Sequence, residues 1–151
     1  MRYSQIFEKD ASLVDAEIVV ARLAVLRSNL RRLQEIIGHG REAFVLNEDL
    51  HLKAERCLQL ALQAMLDIGT HVIASEGLER PSGYEGVVPE LGKAGYLSGQ
   101  LVERLQGAAG MRNILVHDYV RLDYERLLDT VSEGIPDPES FAKEIGALLD
   151  D

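Results

Sequence analysis

An arginine and a histidine stand five positions apart in the stretch RNILVHDY, residues 112–119. The guanidinium of Arg112 is a permanent cation, which suits it to holding an anion. The imidazole of His117 belongs to the one side-chain type that ordinarily titrates near neutral pH, which suits it to proton transfer. Three aliphatic residues separate the two, so the pair either belongs to a half-buried chemical site or consists of structural polar groups with partners.

The angles within this stretch constrain how such a site is built. On an ideal helix Arg112 and Tyr119 lie about 20° apart, and Asn113 and His117 about 40° apart. Arg112 and His117 lie about 140° apart, so one straight helix does not aim both at one small ligand. Either the helix is distorted, which the glycines just before the stretch would permit, or a two-fold dimer brings two copies of the stretch into one cleft.

A simpler interpretation stays open on the residues alone. Arg112 would pair with a neighbouring carboxylate, and His117 would be an interior imidazole with its hydrogen bonds satisfied. Tyr119 would be packing material with its hydroxyl at the surface. An Arg-x4-His match by itself is a weak pattern.

The elements that must carry these residues are helices. Two long apolar patterns with three- and four-residue spacing occupy residues 12–37 and 54–72, and shorter ones follow near residues 86–94, 98–105, 123–131 and 137–149. No segment alternates with period two for long enough to predict a strand. We predict an all-α fold over residues 1–151 as a single domain: an up-and-down four-helix bundle with one or two short extra helices.

Inward positions and helix ends can also be predicted. In the first helix the apolar face comprises Leu13, Ala16, Val20, Leu23, Ala24, Leu30, Leu33 and Ile37. In the second it comprises Ala54, Leu58, Ala61, Met65, Ile68 and Val72, broadened by Cys57, Leu60, Ala64 and Leu66. Asn47, Ser98, Asp123 and Asp137 are expected to cap helices, with Pro138 in the first helical position after Asp137.

The polar side of the second long helix carries Gln59, Gln63, Asp67 and His71 at intervals of four. Asp67 and His71 are spaced like two metal ligands, but no third ligand accompanies them. A hydrogen bond between the two is the simpler interpretation. We therefore expect no metal and no cofactor.

Composition limits the class of protein. The net charge of −9 argues against broad electrostatic coating of nucleic acid, although the chain is polarised. Residues 1–41 carry seven basic and five acidic groups, whereas residues 118–151 carry three and ten. Neither a signal peptide nor an apolar segment of spanning length is evident, and the lone Cys57 is expected to fill the core. A cytoplasmic protein without membrane contact is expected.

RNILVHDY resembles the Arg-x4-His-x-Tyr signature of the HEPN superfamily, and in particular its HepT-like toxins. Other segments are similar to that family in the same order, from about residue 12 to residue 149. They are ERCLQLALQAMLDIGTHVIA, YEGVVPELGKAGYLS, DYERLLDT and PESFAKEIGAL.

The resemblance implies a dimeric, metal-independent ribonuclease toxin that acts on RNA. It assigns Arg112 and His117 as catalytic residues. It also implies a partner, a nucleotidyltransferase antitoxin that silences the toxin by transferring AMP to the tyrosine of the signature, here Tyr119. The chemistry is coherent because RNA supplies its own nucleophile, the 2′-hydroxyl, and Asn113 could orient the imidazole or bond a phosphate oxygen.

Two other functions remain open on the sequence. The acidic balance of the chain favours a non-catalytic helical partner of a nucleotidyltransferase, since a free ribonuclease ordinarily needs a basic approach surface. A purely structural assembly protein, in which the octapeptide only forms a dimer seam, is the third. The intact Arg112 and His117 pair favours the ribonuclease.

Overall fold

A computed structural model describes residues 2–118, 120 and 122–149, with side-chain environments given from residue 16 onward. Within that part of the chain the structure is helical throughout, without strands. The helices are α1 (Arg2–Ile37), α2 (Arg41–Leu46), α3 (Glu48–Ser75), α4 (Val87–Lys93), α5 (Gly99–Arg104), α6 (Ala108–His117), α7 (Tyr124–Gly134) and α8 (Pro136–Leu149). A 3₁₀ turn, Tyr84–Gly86, leads directly into α4.

The two longest helices, α1 and α3, form the centre of the bundle. They pack on each other more extensively than any other pair, and the short connection between them makes them antiparallel. Helix α8 packs on both, α6 packs on α3, and α7 packs on α1 and α2. The largest fully buried side chains come from most of these elements: Leu26, Leu33, Phe44, Met65, Leu66, Ile68, Ile73, Leu91, Leu101, Phe141 and Ile145. The predicted all-α bundle is confirmed.

The inward face of α1 differs from the predicted one. Val20 is 57% exposed and Ala24 is also exposed, although both were expected to face the core. Leu23, Leu30 and Leu33 are buried as predicted, and Val19, Leu26 and Ile36 complete the buried face. Apolar residues occupy neighbouring positions along this helix, so spacing alone admits more than one inward face.

Helix α3 agrees better with its sequence pattern. Of the predicted inward residues, only Val72 and Leu60 are half-buried, and the others are buried. Cys57 lies among them, and burial raises the pKa of its thiol. This fits the predicted role as core filler.

Three helix caps are confirmed. The side-chain oxygen of Asn47 accepts hydrogen bonds from the backbone N–H groups of Asp49 (2.9 Å) and Leu50 (3.3 Å) at the start of α3. Ser98 caps α5, and Asp123 caps α7 through two backbone N–H groups. Each cap satisfies donors that the first helical turn cannot pair internally.

The predicted cap at Asp137 is wrong. Helix α8 begins at Pro136, immediately after Ile135, so Asp137 already lies inside its first turn. The carboxylate of Asp137 instead accepts a hydrogen bond from Nε of Arg104, at 2.9 Å. Pro136, and not the predicted Pro138, occupies the first helical position, which suits proline because it has no N–H group to leave unpaired.

Helix α4 lies unusually close to α3. A Cβ atom placed on Gly69 would stand 2.4 Å from Cγ1 of Val87 and 3.1 Å from Cδ1 of Leu91. The absence of a side chain at position 69 therefore permits this approach. It holds Tyr84 against the polar side of α3.

Helix α3 also corrects the expectation that no segment is suited to span a bilayer. Within the described residues it alone is long and apolar enough to cross a membrane by length and composition, with a mean hydropathy of 1.3 in its most apolar window. However, 56% of that window is buried inside the bundle. Such burial is typical of the core helix of a bundle.

Candidate active site

Helix α6 carries most of the octapeptide as one uninterrupted helix. It follows Gly107, whose φ of 85° is in the left-handed region that glycine adopts freely, and it ends at His117. Arg112 lies in its middle and His117 in its last turn. Residues 108–117 form a regular helix, so the first of the two predicted arrangements, a distorted helix that aims both side chains at one ligand, is not found.

Arg112 is half-buried and held on several sides. Its Nε donates a hydrogen bond to Oε1 of Gln63 at 2.7 Å, and its Nη1 donates to Oδ1 of Asn113 at 3.1 Å. The guanidinium carbon lies 5.1 Å from the centroid of the Tyr84 ring, within the range of a cation–π contact. The arginine is thereby fixed by α3, by the 3₁₀ turn and by its own helix.

Gln63 continues the network along α3. Its amide nitrogen donates to Oδ1 of Asp67 at 2.9 Å and to the hydroxyl of Tyr84 at 3.0 Å. The Tyr84 hydroxyl donates to the same Asp67 oxygen at 3.5 Å, a long hydrogen bond. Asp67 thus bonds Gln63 and Tyr84, and none of the hydrogen bonds described for it goes to His71. Among the described residues no group of three or more His, Cys, Asp and Glu side chains is placed to hold a metal ion.

His117 has a different environment. It is exposed at the C-terminal end of α6. It is therefore not an interior imidazole, and in the described structure no carboxylate forms an ion pair with Arg112. The buried His117 of the simpler interpretation is therefore wrong, and the carboxylate partner that it gave Arg112 is not found among the described residues.

The aliphatic residues between the pair do not all anchor the helix. Leu115 is buried at 6% exposure and Val116 is half-buried, but Ile114 is 38% exposed. Val120, just beyond the helix, is 84% exposed. The end of α6 that carries His117 therefore presents apolar side chains to solvent.

The structure brings together Arg112 and Asn113 but leaves His117 apart from them. Tyr119, the predicted AMP acceptor, lies outside the described residues. Sequence reasoning missed Gln63 and Tyr84 as partners of Arg112. The available signal was the stripe of polar residues along α3, which includes Gln63.

A cleft between α1 and α8 concentrates positive charge. It has a volume of about 350 Å³ and is lined by Arg27 and Arg31 of α1 and Lys143 of α8. All three are exposed, and none forms an ion pair with a described carboxylate. The one carboxylate in the lining, Glu139, accepts a hydrogen bond from Gln34 at 3.3 Å.

Comparison with known proteins gives a consistent picture. Residues 26–145 match the family described as ribonuclease HepT-like. The mRNA nuclease HepT of Shewanella oneidensis is 26% identical over 134 residues, which cover 87% of this chain and 98% of that protein. The tRNA nuclease HepT of Aphanizomenon flos-aquae is 25% identical over 137 residues, which cover 90% and 92%.

A solved structure extends the agreement to the fold. The tri-AMPylated HEPN toxin of Shewanella oneidensis, in complex with an MNT antitoxin, matches with a TM-score of 0.79 at 26% identity, over 86% of this chain and 97% of that one. The predicted HEPN-type, HepT-like relationship is confirmed, and with it the predicted class of enzyme, a ribonuclease. The chain belongs to the ribonuclease HepT-like family.

Proposed function

We propose that the protein is a metal-independent endoribonuclease toxin of a toxin–antitoxin pair, acting as a single HEPN-like domain. The observation that carries the proposal is the state of Arg112: a guanidinium held at Nε and Nη1 whose remaining N–H groups have no partner among the described residues. Those groups match the geometry of a phosphate. The family relationship supplies the class of reaction.

In the proposed reaction the 2′-hydroxyl of RNA attacks the adjacent phosphorus atom and the 5′-oxygen leaves. His117 takes the proton of the 2′-hydroxyl or gives a proton to the departing oxygen. Arg112 stabilises the charge that develops on the pentacoordinate phosphate. Asn113, bonded to Arg112, takes a phosphate oxygen or orients the imidazole. The products are a 2′,3′-cyclic phosphate and a 5′-hydroxyl.

A homodimer completes the proposed site. Arg112 and His117 belong to different faces of one straight helix, and a second copy would provide the histidine of one chain to the arginine of the other. Ile114 and Val120, on either side of His117 in the sequence, are exposed apolar residues that a second copy could bury. Replacing Ile114 with aspartate should produce a monomer by light scattering and reduce cleavage; a fully active monomer would contradict the dimer.

The net charge of −9 does not prevent local contact with RNA. Arg27, Arg31 and Lys143 place three cations around one cleft that contains a single carboxylate. We propose that this cleft takes phosphate groups of the RNA strand beyond the cleaved bond. Binding there would be of modest strength and sensitive to salt.

A nucleotidyltransferase antitoxin is the proposed partner, as it is for the Shewanella toxin. Transfer of AMP to Tyr119 would add a bulky anion two residues after His117 in the chain, which would compete with RNA for the proposed site. Co-expression with a cognate nucleotidyltransferase should add one or more AMP masses, and Tyr119→Phe should remove them. Modification that persists in Tyr119→Phe would exclude this residue as the acceptor.

Cytoplasmic expression provides the test of activity. The wild-type chain should arrest growth and cleave RNA in vitro without added metal, whereas His117→Ala should do neither. The net charge favours one alternative, a non-catalytic helical partner of a nucleotidyltransferase. In that case wild type and His117→Ala would be equally harmless while both bind the nucleotidyltransferase.

A further inference from the structure

Arg112 is held by a neutral amide, although carboxylates are plentiful in this chain. Its Nε lies 2.7 Å from Oε1 of Gln63, a short distance for a hydrogen bond between nitrogen and oxygen. Gln63 itself is half-buried on α3, on the side that faces α6. Its contact with Arg112 joins residues 49 positions apart in the chain.

The orientation of the Gln63 amide is fixed by its other partners. The amide nitrogen has two acceptors, Oδ1 of Asp67 at 2.9 Å and the hydroxyl of Tyr84 at 3.0 Å. A flipped amide would place its NH₂ group against the Nε–H of Arg112, donor against donor, and its oxygen against the Asp67 carboxylate. Only one orientation satisfies all the groups, so the oxygen must face the arginine.

Because the Gln63 amide is neutral, the charge of the Arg112 guanidinium is not offset by this hydrogen bond and remains available to an anion. A carboxylate in place of the Gln63 amide would neutralise the guanidinium and compete with a phosphate for it. Here the nearest carboxylate of the network, Asp67, bonds the amide. Asp67 thereby polarises Gln63 toward Arg112 without forming an ion pair with it in the described structure.

Tyr84 supports the same arginine from a separate segment. Its ring lies beneath the guanidinium, with 5.1 Å from the centroid to the guanidinium carbon, and its hydroxyl bonds both Gln63 and Asp67. Ring and hydroxyl therefore restrict the arginine and the amide at once. The Nη2 edge, which has no partner among the described residues, is left as the position for an incoming anion.

We propose that Gln63, Asp67 and Tyr84 are positioning residues that hold the guanidinium of Arg112 in the orientation needed to bind the scissile phosphate. This inference rests on the proposed ribonuclease function. None of the three touches the reacting atoms; each acts through Arg112. The effect should therefore fall on kcat more than on KM.

The main test replaces Gln63 with leucine, which keeps the approximate size and removes both the acceptor and the donors. The matched control is Gln59→Leu, one helical turn away on the same side of α3, where the glutamine contacts Arg56 instead. Gln63→Leu should lower kcat for cleavage of an RNA oligonucleotide roughly ten- to a hundredfold. The control should remain within about twofold of wild type.

A second readout does not depend on activity. In ¹⁵N NMR spectra the Nε–H of Arg112 should be protected from exchange in the wild type and in Gln59→Leu, and should lose that protection in Gln63→Leu. Tyr84→Phe keeps the ring and removes the hydroxyl, so it should cause a smaller loss of both kcat and protection. Gln63→Glu keeps an acceptor for the Nε–H of Arg112, so the protection should remain. Its carboxylate would form an ion pair with the guanidinium and compete with the phosphate, so activity should still be lost.

The outcomes separate this inference from the function on which it rests. If wild type cleaves RNA, and Gln63→Leu matches Gln59→Leu in kcat and in the Arg112 signal, the positioning role is wrong and the ribonuclease stands. If wild type does not cleave RNA, the proposed function fails. The NMR comparison would then show only whether the network holds Arg112, and the inference falls with the function.

Discussion

The two ends of the octapeptide differ in how much of their environment one chain supplies. Arg112 lies half-buried against α3, with hydrogen bonds to Gln63 and Asn113 and an aromatic ring beneath it. His117, at the end of the same helix, is exposed. A group that must stabilise developing charge gains from being fixed in advance, whereas a group that moves protons must reach the substrate. Under the proposed mechanism, the fold would therefore prepare the phosphate-binding group within one chain and leave the proton-transfer group to be completed by a second copy.

The largest expected effect is that of His117→Ala. Removal of a general acid or base should lower kcat by about 10²–10⁴-fold. Because the side chain is exposed, the free energy of unfolding should change by less than about 0.5 kcal/mol. Single-turnover cleavage and urea unfolding of the same preparations measure both quantities. A clear loss of stability would mean that His117 is held as firmly as Arg112, and the contrast between them would disappear.

Arg112→Ala should affect both activity and stability. Loss of a charge-stabilising donor should lower kcat by about 10²–10³-fold. The substitution also leaves half-buried Gln63 without its partner, at a cost of about 1–2 kcal/mol in the free energy of unfolding. The same two measurements apply, with Arg126→Ala on the exposed side of α7 as the control for loss of an arginine. A variant that is as stable as wild type would show that the network does little for the fold.

The basic cleft should influence binding more than chemistry. The double substitution Arg27→Ala and Arg31→Ala should raise KM several-fold with little change in kcat. It should also reduce the slope of log affinity against log salt by about 0.7 for each phosphate group that the protein no longer neutralises. Fluorescence anisotropy with single-stranded RNA in the His117→Ala background measures the slope. The control, Arg32→Ala with Lys53→Ala, removes the same charge from exposed positions outside the cleft. Equal slopes for the two double variants would show that the cleft makes no specific contribution to RNA binding.

The smallest expected effect concerns the chain that follows His117. Asp123→Ala removes the cap of α7 and should cost about 1 kcal/mol of stability, since two backbone N–H groups lose their acceptor. Thermal unfolding measures this loss, and Asp123→Asn, which retains the acceptor, should restore most of it. The Arg112 network is separate from this cap, so the Arg112 Nε–H signal should not change. A change in that signal would show that the start of α7 is coupled to the Arg112 network.

Local chemistry in the sequence predicted local structure well. Asn47, Ser98 and Asp123 each act within three residues of their own position, so these caps could be predicted locally, whereas the same signal failed at Asp137 because α8 begins one residue before it. The inward face of α3 was also predictable because its apolar residues repeat consistently. On α1 the apolar positions are compatible with two faces, and the choice depends on the helix that packs against it.

The long-range part of the site was not predictable in the same way. The Arg112–Gln63 and Gln63–Tyr84 contacts join residues 49 and 21 positions apart. The polar stripe on α3 indicated a role for this side of the helix, but spacing within one helix pointed to a pair between Asp67 and His71. Asp67 instead bonds Tyr84, and this contact depends on the position of the 3₁₀ turn, which spacing within α3 does not indicate.

The close approach at Gly69 gives the protein a point of failure away from its proposed chemistry. With Val87 Cγ1 2.4 Å from where a Cβ would stand, a single added methyl group must displace the side chain of Val87 or the start of α4 that carries it. Tyr84 lies in the turn that leads into α4, so such a shift would also disturb the ring beneath the guanidinium while the Arg-x4-His signature remained intact. Among variants that lose the proposed activity, substitutions should therefore occur at position 69 as well as in the octapeptide, and inspection of the signature alone would count them as active.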